Sequence, residues 1–311
     1  MSGIRRFVSS LIERKLKQRL PGPSGRELKE PTVIIVPHPD DETLGCGGTI
    51  CKMTSAGSKV HFVFVTDGGA SHGGHGREEL SAAREEEAIE AVQHLGAKAD
   101  DITFLRFPDG GAGRHLEEIA ARIEYVLEAL DPRSVFVPHS KDPQADHIAA
   151  RSAARLALDR RGRPVTIYEY PVWYWYHWPW VPVFGDPFGL WRTALRQTLA
   201  ARFGLGALWT FNLCVEVGEV LHLKEKALAA HISQTTRPDG NTDWPVLSDL
   251  GKGGFLGRLM SKYEFLTEYT LAGDGAESKK RAEGASAIET TARKRHEAPA
   301  QRSGDLRADH D

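Results

Sequence analysis

Val33-Ile-Ile-Val-Pro-His38-Pro-Asp40-Asp41-Glu42 joins a strand-like apolar run to one imidazole and three carboxyls within five residues. A second apolar run, Ser134-Val-Phe-Val-Pro138, leads into His139-Ser-Lys-Asp142-Pro-Gln144-Ala-Asp146-His147. Ionisable side chains at the mouth of a buried strand are a poor way to build a core. They suit a site at the carboxyl edge of a sheet, where open α/β proteins bind their ligands. Two His and one carboxylate are a standard protein ligand set for catalytic zinc, with positions left for water and substrate. His38, Asp41 and His147 supply that set if the two loops converge, and parallel strands place their carboxyl ends on one edge. Asp40 is then left as general base for a metal-activated water attacking a carbonyl. A cation also rationalises two adjacent carboxylates that would otherwise repel. The competing reading gives Asp40 and Asp41 only the task of capping a helix. The His before them and the Asp-His after a second strand favour the metal. Gly45, Gly47 and Gly48 do not compose a GxGxxG loop, and the acids before them would repel a pyrophosphate.

The elements that must position these residues follow from periodicity. Strands are expected at 32–36, 59–65, 102–105, 134–138, 165–170 and 213–217. Helices are expected at about 42–55, 77–95, 114–130, 146–160 and 219–232, with a last short helix over 262–269. Repeated strand–loop–helix units predict an α/β fold with a mostly parallel sheet, right-handed crossovers and helices on both faces. Residues 1–30 read as an amphipathic basic helix and linker, 31–270 as the main domain, and 273–311 as a disordered tail. Residues 171–211 break the rhythm with a Trp/Tyr- and Pro-rich stretch, an insertion or lid. Its aromatic rings suit either stacking on sugar or a local mini-core or dimer contact.

The 311 residues carry a formal net charge of -2, so nucleic acid is not an expected partner. Three cysteines, at 46, 51 and 214, give no disulfide framework and fit a reducing compartment. No continuous apolar run suggests a secretory signal or a bilayer span, which predicts a cytoplasmic location. The apolar residues Ile4, Phe7, Val8, Leu11, Ile12 and Leu16 alternate with a strongly basic face. That helix either packs on the domain with its basic face solvated or makes a peripheral membrane contact through residues 1–20. Oligomeric state is not set by these features.

Pro37-His-Pro-Asp-Asp-Glu42 resembles the Ala-His-Pro-Asp-Asp-Glu signature of the PIG-L/LmbE-like zinc-dependent N-deacetylases, of N-acetylglucosaminyl deacetylase type. The resemblance continues through Val65-Thr66-Asp67-Gly68, Arg84-x-x-Glu87, Phe107-Pro-Asp109-Gly110, Asp146-His147 and Lys226…His231-x-Ser-Gln234. It implies a Rossmann-like domain, one Zn2+ per chain and removal of an N-acetyl group from an amino-sugar glycoconjugate. By position, His38, Asp41 and His147 match the zinc ligands and Asp40 the general base. Arg84 and Asp109 match positions that hold the substrate; their plainer reading is an ion-paired helix Arg and a turn Asp. One departure stands out. Many relatives have a His three residues before the ligand His, as His-x-x-His, and Gln144 occupies that first position here. In relatives that His stabilises the tetrahedral intermediate or protonates the leaving amine. Gln144 can donate to an oxyanion but cannot deliver a proton. His139, or Asp40 acting as both base and acid, is then the proton source. Two alternatives stay open: an amidase acting on a larger N-acyl sugar amine, and a glycan-binding protein that keeps the metal without turnover.

Overall fold

The computed structural model describes residues 2–25, 27–71, 76–184, 190–238 and 244–273. The chain divides into a unit over Met1–Leu271 and a C-terminal segment, Ala272–Asp311. The tail expected at 273–311 lies almost entirely outside the described residues, as do His72 and His75.

Seven strands form the sheet: β1 (Thr32–Val36), β2 (Val60–Thr66), β3 (Ile102–Phe107), β4 (Ser134–Pro138), β5 (Val165–Tyr170), β6 (Leu213–Glu216) and β7 (Tyr263–Leu271). Their order is β3-β2-β1-β4-β5-β7-β6. Strands β1 to β5 pair in parallel, whereas β7 runs antiparallel to both β5 and β6. The helices are α1 (Ser2–Arg19), α2 (Asp41–Ser55), α3 (Arg77–His94), α4 (Leu116–Leu130), α5 (Ala145–Arg161), α6 (Trp191–Ala200), α7 (Ala207–Thr210), α8 (Leu221–Ala230), α9 (Ile232–Thr235) and α10 (Gly254–Leu259).

Strands β1, β2, β4 and β5 are buried on both sides, as near-continuous apolar runs require in a parallel sheet. Ile34, Val36, Phe62 and Phe64 face one core with α2, α3 and α8. Val33, Ile35, Val63 and Val65 face the other with α4 and α5. Helices therefore cover both faces, as the pattern predicts. Strand β1 has β2 on one side and β4 on the other, so the chain reverses its direction of travel at β1/β4. That is the switch point at which sheets of this kind open a crevice.

One expected element is corrected. Residues 262–269 do not form a helix; they lie in strand β7. Tyr263-Glu-Phe-Leu-Thr-Glu-Tyr-Thr-Leu271 is rich in aromatic and β-branched residues, which favour extended chain. Its two ladder partners are distant in sequence.

Helix α1 turns Ile12 and Leu16 into the core and leaves Arg6, Arg14, Lys15, Lys17 and Arg19 exposed. Its lone acid, Glu13, accepts from Trp180 Nε1 at 3.0 Å. The domain thus takes the later part of the apolar stripe, while Ile4 and Phe7 at its start stay exposed. The glycines after Glu42 sit inside α2, where the helix presses on its neighbours. A Cβ at Gly45 would lie 2.2 Å from Tyr170 Cδ2, and one at Gly48 2.6 Å from Val217 Cβ. Glycine there permits close approach rather than a phosphate loop.

Candidate active site

The β1 and β4 exits converge. His38 Nδ1 and His147 Nε2 each stand 3.1 Å from Asp41 Oδ2. All three side chains are buried, and their donor atoms lie within 4.8 Å of one another. His147 Nε2 is buried without a hydrogen-bond partner. A buried polar atom left so is costly unless something else meets it. Two imidazoles and a carboxylate around one point, with His147 Nε2 close to Asp41 but in no aligned hydrogen bond, fit a divalent metal of borderline softness.

The far nitrogen of each imidazole meets another carboxylate. His38 Nε2 is 3.3 Å from both Asp109 Oδ1 and Asp146 Oδ2. His147 Nδ1 is 3.3 Å from Asp142 Oδ2. Such partners hold the ring tautomer and turn the other lone pair towards a metal. They are themselves anchored. Asp146 accepts from the backbone N–H of Gly110 and Ala112, and Asp142 from that of Val172 and Trp173. Burial alone would lower both imidazoles. For His38 the bonds to Asp109, Asp146 and Asp41 outweigh it and raise the pKa well above normal. For His147 the charges of Asp41 and Asp142 outweigh it and raise the pKa to about 9. Burial works the other way on Asp41, yet His147 and His38 hold its carboxyl well below the usual range. The cluster is a field that favours positive charge.

Asp40 is at the N-cap position of α2, but its side chain makes no capping hydrogen bond. Its backbone sits at φ 131°, a strained region for a residue with a Cβ. Glu42 holds this turn, accepting from the Asp40 backbone N–H at 3.0 Å. Glu42 is itself bonded to His231 Nε2 at 2.9 Å, and both are fully buried. The turn therefore aims the Asp40 carboxylate into the cleft instead of at the helix end. Burial raises its pKa, Arg84 opposes this and the Asp41 charge adds to it, so it stands at about 7. A carboxyl held there can take up and return a proton near neutral pH.

A cleft of about 370 Å³ opens over these groups. His38, Asp40, Asp41, Arg84, Asp109 and Gln144 all line it. Arg84 is buried, with Nη2 3.2 Å from Asp40 Oδ2 and bonded to Pro39 O, and Nη1 donating to Gly68 O at 2.9 Å. Its guanidinium is thus largely committed to the protein. Asp109 accepts from Ala70 N–H, and burial is outweighed by His38, so its pKa falls to about 2.

Gln144 caps α5: its Oε1 accepts from the backbone N–H of Asp146 at 2.6 Å and His147 at 3.0 Å. That fixes the amide and leaves Nε2, 3.4 Å from His38 Nε2, as a donor at the cleft. His139 does not join the group, and the proton-donor role considered for it is not supported by its position. It is buried outside the cleft lining, between Tyr174 and Phe211, with Nε2 3.2 Å from Thr267 Oγ1. Burial lowers its pKa to about 4, so it is neutral at physiological pH. Of the aromatic run at 173–180, Trp173 lines the cleft, while Tyr174, Trp175, Tyr176 and Trp180 are buried.

Several positioning residues have no local signal in the sequence. Lys224 Nζ is fully buried, 2.7 Å from Glu264 Oε1, and also donates to Leu44 O and Leu259 O. Glu264 accepts from the backbone N–H of Gly48 and Thr49, so the pair ties α8 and β7 to α2. Gln234, from the His231-x-Ser-Gln234 stretch, and Trp173, from the aromatic stretch, also line the cleft.

A mostly parallel sheet with a His–Asp–His cluster and a buried acid, free of the helix cap, at its switch point defines an α/β protein with a candidate hydrolytic metal centre. Residues 33–158 match the family model described as PIG-L, GlcNAc-PI de-N-acetylase. The 1D-myo-inositol 2-acetamido-2-deoxy-alpha-D-glucopyranoside deacetylase of Nocardia farcinica is 30% identical over 261 residues, covering 67% of this chain and 82% of that protein. The chain belongs to the PIG-L family of N-deacetylases. The diacetylchitobiose deacetylase of Thermococcus kodakarensis is 34% identical over 129 residues, 41% of this chain and 47% of that protein. Matches thus span about half to two thirds of several curated relatives, 47%, 66% and 60% of their lengths. In fold, the N,N'-diacetylchitobiose deacetylase of Pyrococcus horikoshii superposes with a TM-score of 0.51 at 22% identity, over 77% of this chain and 84% of that one.

Proposed function

We propose that this chain hydrolyses the N-acetyl amide of an amino-sugar substrate, with one zinc ion held by His38, Asp41 and His147. The observation that carries this reading is the Asp40 carboxylate, buried, free of the helix cap and facing the cleft beside that cluster. When bound, the zinc would supply a water of lowered pKa and polarise the amide carbonyl. Asp40 takes the proton of the attacking water. Gln144 Nε2, fixed by its cap, donates to the oxygen that gains charge. With His139 outside the cleft, Asp40 returns its proton to the departing nitrogen, so acetate and a free amine leave. Arg84 holds Asp40 in place while Asp109, anchored by Ala70 N–H, orients His38 at the edge of the cleft where substrate hydroxyls would lie. A glycan binder without turnover would need none of the strain at Asp40.

Acetate release from a panel of N-acetylated sugars, with and without chelator, tests the reading. Release abolished by chelator and restored by zinc is the expected result. Sugar binding without acetate release would leave the binding-protein alternative.

A further inference from the structure

Helix α6 is inverted. It turns Ala194 and Thr198 inward and leaves Trp191, Leu195 and Leu199 on its exposed face. An ordinary surface helix does the reverse. Beyond it Phe203, Leu205 and Trp209 are also exposed, with Leu199, Phe203 and Trp209 at 59%, 56% and 65%. Single exposed apolar residues need no explanation, but a run of six large ones does. Arg192, Arg196 and Arg202 are interleaved with them, and residues 190–210 contain no Asp or Glu. The basic face of α1 lies beside this segment, with Arg19 Nη1 donating to Leu208 O.

We infer that the 191–209 surface docks on an anionic lipid bilayer. Trp, Phe and Leu insert at the level of the headgroups, and the arginines meet the lipid phosphates. A second copy of the chain fits less well. A two-fold contact would set Arg192, Arg196 and Arg202 against their own copies with no acid between them. The C-terminal segment gives little to bury, since residues 274–311 hold only Ile288 and Leu306 as large apolar side chains. The docking surface begins at the cleft. Leu190, the residue before α6, lines it together with Val172, Trp173, Leu247, Leu250 and Phe255. These apolar residues share the cleft lining with Asp40, Arg84 and Asp109.

The test uses the full chain and vesicles of phosphatidylcholine with or without phosphatidylglycerol. The wild type should sediment with the anionic vesicles and release from them as salt rises. The variant Leu199→Ser/Phe203→Ser/Trp209→Ser touches none of the cleft lining. It should lose about tenfold or more of that partition, with melting temperature and turnover of a water-soluble N-acetylated sugar unchanged. Arg192→Glu/Arg196→Glu should lose the salt-sensitive part, on the order of fivefold per arginine, and keeps the test open if the triple variant unfolds. Three results would overturn the inference: wild type that ignores anionic vesicles, variants that bind as well as wild type, or a wild-type dimer that the triple variant splits. Vesicle binding without deacetylation of any sugar would contradict the hydrolytic reading and leave the docking surface standing.

Discussion

Arg84 Nη2 lies 3.2 Å from Asp40 Oδ2 in the wall of the cleft, and the same side chain bonds the carbonyls of Pro39 and Gly68. The Arg thus spans the β1 and β2 exits and fixes the acid that faces the cleft. Arg84→Gln should lower kcat about a hundredfold with KM changed only a few-fold, because it misplaces a group used in the reaction step. Zinc content should stay near one per chain. A variant that raises KM alone would make Arg84 a substrate contact instead.

The Glu42–His231 pair supports the strained turn from beneath. Its two side chains are fully buried and 2.9 Å apart. Removing one partner leaves a buried charge, which costs about 3–5 kcal/mol. His231→Ala should therefore lose that much in urea denaturation, and His231→Ala/Glu42→Gln should recover part of it. Equal losses in the single and double variants would show that the pair acts only through packing.

Gln144 combines two tasks that substitution can separate. Gln144→Ala removes the cap of α5 and should cost about 1 kcal/mol in stability along with activity. Gln144→Glu keeps an oxygen for the Asp146 and His147 N–H groups but has no N–H to donate. It should keep wild-type stability and lower kcat about a hundredfold. Full activity in Gln144→Glu would remove the amide from the reaction.

Acid sensitivity should trace to two buried histidines away from the cleft. Burial lowers His139 and His177 from 6.5 to about 4. As pH falls through 6.5 the unfolded chain takes up these protons while the folded chain stays neutral. The stability present above pH 6.5 is therefore lost progressively towards pH 4, by about 2 kcal/mol per group at pH 5. His139→Gln/His177→Gln should show a flatter urea-stability profile between pH 7 and 5. An unchanged slope would place the titration elsewhere.

Much of this was legible in the chain itself. Strands β1 to β5 are short apolar runs ended by Pro, Gly or charge, and the two loops that meet carry the ionisable residues in plain view. What was not legible is held by long-range pairing. Tyr263–Leu271 is a strand because β5 and β6 flank it, and Lys224–Glu264 and Glu42–His231 join residues with no local pattern between them. The position of His139 is likewise set by Tyr174 and Phe211, which come from the aromatic stretch and not from its own loop. The basic helix at the N-terminus shows the same limit. Its periodicity gives an apolar stripe, but only the packing shows that the domain takes Ile12 and Leu16 and leaves Ile4 and Phe7 exposed.

The central claim is that Asp40 moves the proton at a zinc site built by His38, Asp41 and His147. Acetate release by Asp40→Asn, measured against wild type at matched zinc content, tests it most directly. The account predicts a loss of about a thousandfold in kcat with one zinc per chain retained. Turnover by Asp40→Asn within a few-fold of wild type would contradict it.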